Sequence, residues 1–217
     1  MTLFWVLVAA TLVVAVVDWW AVARADLRVE YVAKPLTMVA LAAAALAMPD
    51  PVTASSRTWF VVAIVLSLVG DVFLMLPDSD QRFVAGLGSF LLGHVAYIVG
   101  IWQTGEVVTG RLLVGAALVA VGVAVVGRLV VQGAHRKDRM LAVPVAAYIG
   151  VISVMVASAI GTGRPVLVAG ALLFYASDAC IGWSRFIGEF PQYRMAIITT
   201  YHLGQVGLLL GLLTHWS

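Results

Sequence analysis

Asp71 and Asp178 are carboxylates set inside long apolar stretches, SLVGDVFLML and FYASDACIGW. An aspartate near mid-bilayer costs on the order of 2.5 to 3.5 kcal/mol on insertion scales, so such residues turn into a helix bundle and usually mark function. Two of them suit either paired-carboxyl acid–base catalysis or the carriage of protons or cations. Their alternative role is structural, an interhelical hydrogen bond or an ion pair to Lys34 or Arg185.

The elements that position them follow from hydrophobicity. The 217 residues are 63% hydrophobic and 11% charged, with a mean hydropathy of +1.05, outside the range of soluble domains. Apolar runs long enough for a roughly 30 Å hydrocarbon layer predict eight transmembrane helices. The expected spans are 2–23, 32–48, 58–76, 83–102, 109–131, 140–160, 165–187 and 194–215. Lipid leaves only helices to satisfy the backbone here, so the fold class is all-α, a polytopic membrane bundle. Short connections make residues 1–217 one transmembrane domain. The first run is read as a retained helix, because no basic segment precedes it. Pro35 is expected in the first turn of the second helix, where its missing N–H does no harm.

Ten of the thirteen Lys and Arg residues fall on one set of alternate connections; Arg57, Arg111 and Arg164 fall on the other. The excess predicts both termini outside, and the expected location is a bacterial cytoplasmic membrane. Asp71 and Asp178 then lie about 7 to 14 Å below the cytoplasmic interface, sharing a pocket in that leaflet. His94, Tyr201, His202 and Gln205 occupy the same layer. Lys34, on position alone, snorkels to the interface. Asp18, between Trp19 and Trp20, is expected in an interfacial aromatic belt. Gly86, Gly93 and Gly100 recur every seven residues, as a helix-packing seam requires.

Helices 3 and 4 echo helices 7 and 8: Gly70-Asp71, Arg82-Phe83 and Gly93-His94-Val95 parallel Ser177-Asp178, Arg185-Phe186 and Gly204-Gln205-Val206. That pattern suggests a 4+4 internal repeat. A formal charge of +2 with scattered basic residues gives no nucleic-acid partner. The single Cys180 excludes an intrachain disulfide and multi-cysteine metal sites. No soluble-hydrolase elbow or phosphate loop is present, and no cofactor or metal is expected. Oligomeric state is not legible.

Lys34-Pro35-Leu36, Gly70-Asp71-Val72-Phe73-Leu74-Met75, the run from Phe83 to Tyr97, Ser177-Asp178 with Arg185-Phe186, and Tyr201 to Gln205 together resemble the YhhN-like lysoplasmalogenase family. The resemblance runs in order from helix 2 to helix 8. It implies an ether hydrolase acting on a lysophospholipid substrate among membrane lipids, cleaving the vinyl ether bond to a fatty aldehyde and a glycerophospho-alcohol. That reaction needs an acid for the alkenyl carbon and an anion to stabilise the oxocarbenium ion. A carboxyl out of water favours its protonated form, while one beside a cation stays ionised. The expected catalytic pair is therefore Asp178 as acid and Asp71, nearer Lys34, as the ionised member. His94, Tyr201 and Gln205 orient water or touch the headgroup, and Arg82 or Arg185 holds its phosphate. Two rival readings use the same residues: a proton- or cation-coupled transporter or lipid-handling protein, and a metal-assisted intramembrane lipid hydrolase with His94, His202 and an Asp as ligands.

Overall fold

The computed structural model describes residues 2–77 and 79–214. Among them are eight helices that cross back and forth: α1 Thr2–Arg24, α2 Leu27–Leu46, α3 Ala54–Met75, α4 Asp80–Trp102, α5 Thr109–Lys137, α6 Arg139–Thr162, α7 Pro165–Phe186 and α8 Tyr193–Leu210. The first seven are long and apolar enough to span a bilayer. The eighth, 18 residues long, packs along α7 and against α1. The expected end of that span at 215 lies outside the described residues.

Polar caps set the helix ends. Asp26 accepts from the backbone N–H groups of Arg28 and Val29 and starts α2 five residues before the expected boundary. Pro35 therefore lies in the helix interior, not in its first turn. Its ring leaves the Tyr31 carbonyl without an intrahelical donor. Thr53 and Ser56 form a reciprocal capping box at α3, while Ser79 and Asp138 cap α4 and α6. Gly163, at φ 74°, ends α6 in the left-handed conformation, and Pro165 opens α7.

Sequential neighbours pack together, but α4 lies against α6 and leaves α5 at the periphery. α5 exposes Leu113, Leu118, Val121 and Val125, the apolar surface a lipid-facing helix should show. It carries a π-helical turn at Val123–Gly127. The glycine seam of α4 packs on α3 as expected: a side chain at Gly100 would meet Phe60 and the Ser56 carbonyl, and one at Gly93 the Ala63 carbonyl. A second seam joins α7 and α8, where Gly204 approaches the backbone of Phe174 and Gly207 that of Gly170.

On the face away from most basic residues, Arg164 is 3% exposed. Its guanidinium holds both oxygens of Glu106, at 3.0 and 2.9 Å, and donates to the carbonyls of Gly211, at 2.8 Å, and Leu213. Those carbonyls follow the end of α8, where a cation also suits the helix dipole. Arg164→Ala should lower the thermal midpoint of the purified protein by the equivalent of about 3 kcal/mol, since buried acceptors lose their donor. Scanning fluorimetry in detergent reads this directly, and an unchanged midpoint would assign Arg164 no such role.

Candidate active site

Asp71, on the inner face of α3, is 1% exposed. Lys34 Nζ of α2 lies 3.1 Å from its Oδ1, and the Tyr201 hydroxyl of α8 donates to its Oδ2 at 2.6 Å. Lys34 thus turns inward to an ion pair two turns inside α2 and does not snorkel. The lysine side chain is 14% exposed and the aspartate 2%. Such a pair keeps its charges only with close geometry and added hydrogen bonds, and the Tyr201 hydroxyl supplies one.

Asp178, on α7, has a second and separate set of partners. Tyr148 of α6 donates its hydroxyl to Asp178 Oδ2 at 2.5 Å. His94 Nε2 of α4 lies 2.9 Å from that hydroxyl and 3.2 Å from the same carboxylate oxygen. Asp178, Tyr148 and His94 therefore form a hydrogen-bonded triangle in which a proton has a path among all three. The carboxylate of each hairpin, α3–α4 and α7–α8, takes a partner from the other: Asp71 from Tyr201, Asp178 from His94. Tyr97 of α4 adds a third crosslink, donating to Gln205 of α8.

The two carboxylates do not open into one pocket. Phe174 stands between their partners, with ring centroids 4.7 Å from His94 and 5.3 Å from Tyr201. Asp178 and Tyr148 line an apolar cavity of about 110 Å³, partly open to the surroundings, between α4, α5, α6 and α7. Its remaining wall is mostly aliphatic and aromatic, including Phe90, Val145, Ile149 and Phe186, with Gly122 and Gly127 on the α5 side. Lys34 lines a second, polar pocket at the basic face, with Glu30, Arg185, Glu189, Tyr193 and Arg194. Leu74, Phe83 and Ile181 border both pockets. Asp71, His94, Tyr201 and Gln205 line neither; they are buried behind the pockets and hold the site from its core.

The two arginines expected at the rim separate. Arg185 borders the polar pocket, stacked over Phe83 at 4.0 Å and 3.0 Å from Asp80. Arg82 is exposed, donates to the Pro77 carbonyl at 2.6 Å and lines neither pocket. Arg194, which pairs with Glu30 at 2.6 Å, stands in the pocket instead. Asp18 is wholly buried and not in an interfacial belt; of its flanking tryptophans only Trp20, 52% exposed with Arg24 over its ring, fits that description. Among the described residues no three His, Cys, Asp or Glu side chains converge as a metal-binding group. His94 and His202 belong to different clusters, so the metal-assisted reading has no ligand set among them.

Sequence reasoning missed Tyr148. Its signal was a lone phenol in an aliphatic helix, whose hydroxyl needs a partner once buried.

The YhhN family model matches residues 29–212. Lysoplasmalogenases of Mycobacterium bovis and Mycobacterium tuberculosis are each 39% identical to the chain over 151 residues, covering 69% of it and 57% of their own length. The human lysoplasmalogenase TMEM86B is 32% identical over 151 residues, covering 70% of the chain and 62% of its own length. The chain thus spans less than two thirds of these relatives. No solved structure matches it.

Proposed function

The chain belongs to the YhhN family, and we propose that it hydrolyses the vinyl ether bond of alkenyl lysophospholipids within the membrane, with Asp178 as the acid and Asp71 as the ionised partner. The observation that carries this reading is the placement of Asp178 and Tyr148 on the wall of an otherwise apolar cavity that adjoins a polar pocket. An alkenyl chain fits the first and a glycerophospho headgroup the second, which sets the bond between them near Leu74, Phe83 and Ile181. The chain enters beside α5, where Gly122 and Gly127 put no side chain into the cavity wall. The names of the relatives support the same substrate class.

The steps balance without a cofactor. The Asp178 carboxyl gives its proton to the alkenyl β-carbon, leaving an oxocarbenium ion stabilised by the carboxylate just formed. Water adds to the α-carbon and loses a proton to a carboxylate. The hemiacetal then loses its hydroxyl proton to a carboxylate and breaks its bond to the glycerol oxygen, which takes a proton in return, and the aldehyde leaves. Tyr148 and His94 reload Asp178 through their shared hydrogen bonds. Asp71, held in place by Lys34 and Tyr201, is the member of the pair that supplies a fixed negative field for the cation. The arrangement resembles paired carboxyls about an oxocarbenium-like state in glycoside hydrolysis.

In the polar pocket Arg185 and Arg194 offer charge-assisted hydrogen bonds to a phosphate, while Glu30 and Glu189 offer counter-charges to an ammonium headgroup. The basic face is taken as cytoplasmic, which sets the site toward the inner leaflet of a bacterial membrane with both termini outside.

The test is chain length. Ile149→Trp fills part of the apolar cavity. Each methylene kept out costs about 0.8 kcal/mol of burial, so excluding two raises KM for long alkenyl chains about tenfold. Short-chain substrates should retain wild-type rates of aldehyde release. Equal effects on both lengths, or no aldehyde from the wild type, would remove the cavity from this role.

A further inference from the structure

Asp18 of α1 and His202 of α8 are buried to 0% and 1% exposure, and the site described above uses neither. Trp19 donates its indole N–H to His202 Nδ1 at 3.1 Å. Indole only donates, so Nδ1 is an acceptor and the ring is neutral with its hydrogen on Nε2. His202 Nε2 lies 4.0 Å from Asp18 Oδ2, too far for a direct hydrogen bond. Asp18 Oδ1, Asp18 Oδ2 and His202 Nε2 have no hydrogen-bond partner among the described residues. Three buried polar atoms thus converge on one gap between α1 and α8. Two hydrogen bonds of about 2.8 Å span a 4.0 Å gap at an angle of roughly 90°, which water accommodates. A buried water typically makes about three such bonds.

We propose that Asp18 and His202 bind one buried water, which accepts from His202 Nε2 and donates to Asp18, and that this unit positions Tyr201 against Asp71. A cation is the poorer occupant, because the Nε2 hydrogen faces the gap and Lys34 acts on both Asp18 and His202. Glu30, Asp71 and Arg194 are the other charged groups near enough to act electrostatically on Asp18. The link to Tyr201 is direct: it precedes His202 in α8, their rings lie 5.5 Å apart, and its hydroxyl must reach Asp71. Fixing His202 to α1 fixes that turn of α8 from its other side. Asp18 precedes the residues the family model matches. The water site stands without the hydrolase reading, and the effect of positioning on catalysis rests on it.

Cryo-electron microscopy of the protein in nanodiscs, at a resolution that shows ordered water, tests both parts. The wild type should show one density within hydrogen-bond distance of Asp18 and His202. His202→Phe, and Asp18→Leu as a second variant of similar volume, should lose it and pull the Tyr201 hydroxyl away from Asp71. A direct Asp18–His202 contact, a dry gap or cation-like ligand distances would overturn the water site. A Tyr201–Asp71 contact kept in both variants would overturn the positioning role. In aldehyde assays His202→Phe should lower kcat about tenfold at unchanged KM, with His202→Gln, which restores an N–H donor, recovering most of it. An assay without aldehyde from the wild type counts against the hydrolase reading alone, since the maps stand apart from it.

Discussion

Asp178→Asn is expected to cut aldehyde release from an alkenyl lysophospholipid by about a hundred- to ten-thousand-fold, the usual contribution of a positioned proton donor. The amide keeps the volume of the carboxyl and can still accept from Tyr148, so the fold and KM should change little. The loss then falls on kcat, as for an interaction used only in the transition state. Gas chromatography of the released aldehyde, with scanning fluorimetry on the same samples, separates chemistry from unfolding. Tyr148→Phe should cost less, because it removes one leg of the hydrogen-bonded triangle and leaves His94 3.2 Å from the carboxylate. A Tyr148→Phe variant slower than Asp178→Asn would place the proton donor on the phenol instead.

The second large effect concerns the Lys34–Asp71 pair. Asp71→Ala strands a largely buried ammonium and leaves Tyr201 without its acceptor, at a cost of about 3 to 5 kcal/mol. The thermal midpoint should fall accordingly, and aldehyde release with it. The double variant Lys34→Met with Asp71→Leu removes both charges and keeps the volume. It should recover most of the lost stability, since apolar replacement of a buried pair is often neutral or better. Activity should not return, because the oxocarbenium ion has lost its fixed anion. Midpoints that fall additively across the two single variants and the double would show that the groups do not interact, and a restored rate would take Asp71 out of the chemistry.

Much of this site was legible because burial of charge is expensive. Asp71 and Asp178 stood out in apolar runs, and the helices fell close to where hydrophobic length placed them. The glycine seam of α4 was legible for a related reason: a heptad of residues without side chains has little use except close packing. What the sequence hid were partners distant along the chain. Trp19 meets His202 across 183 positions and Tyr148 meets Asp178 across 30, and no periodicity within one helix announces either. Asp18 misled because flanking tryptophans describe both a membrane interface and a buried donor. Pro35 misled because an Asp N-cap at residue 26 outweighed the preference of proline for a first turn. Arg164 looked like one more loop cation, yet its donors close the end of α8.

In the proposed reaction a carboxyl within the bilayer protonates the alkenyl carbon. Purified protein supplied with an alkenyl lysophospholipid in D2O tests it most directly, with the aldehyde analysed by mass spectrometry immediately after release. The expected product carries one deuterium on the carbon beside the carbonyl, and Asp178→Asn yields almost none of it. Fatty acid release from an acyl lysophospholipid in place of aldehyde, or an unaltered yield from Asp178→Asn, would contradict the account.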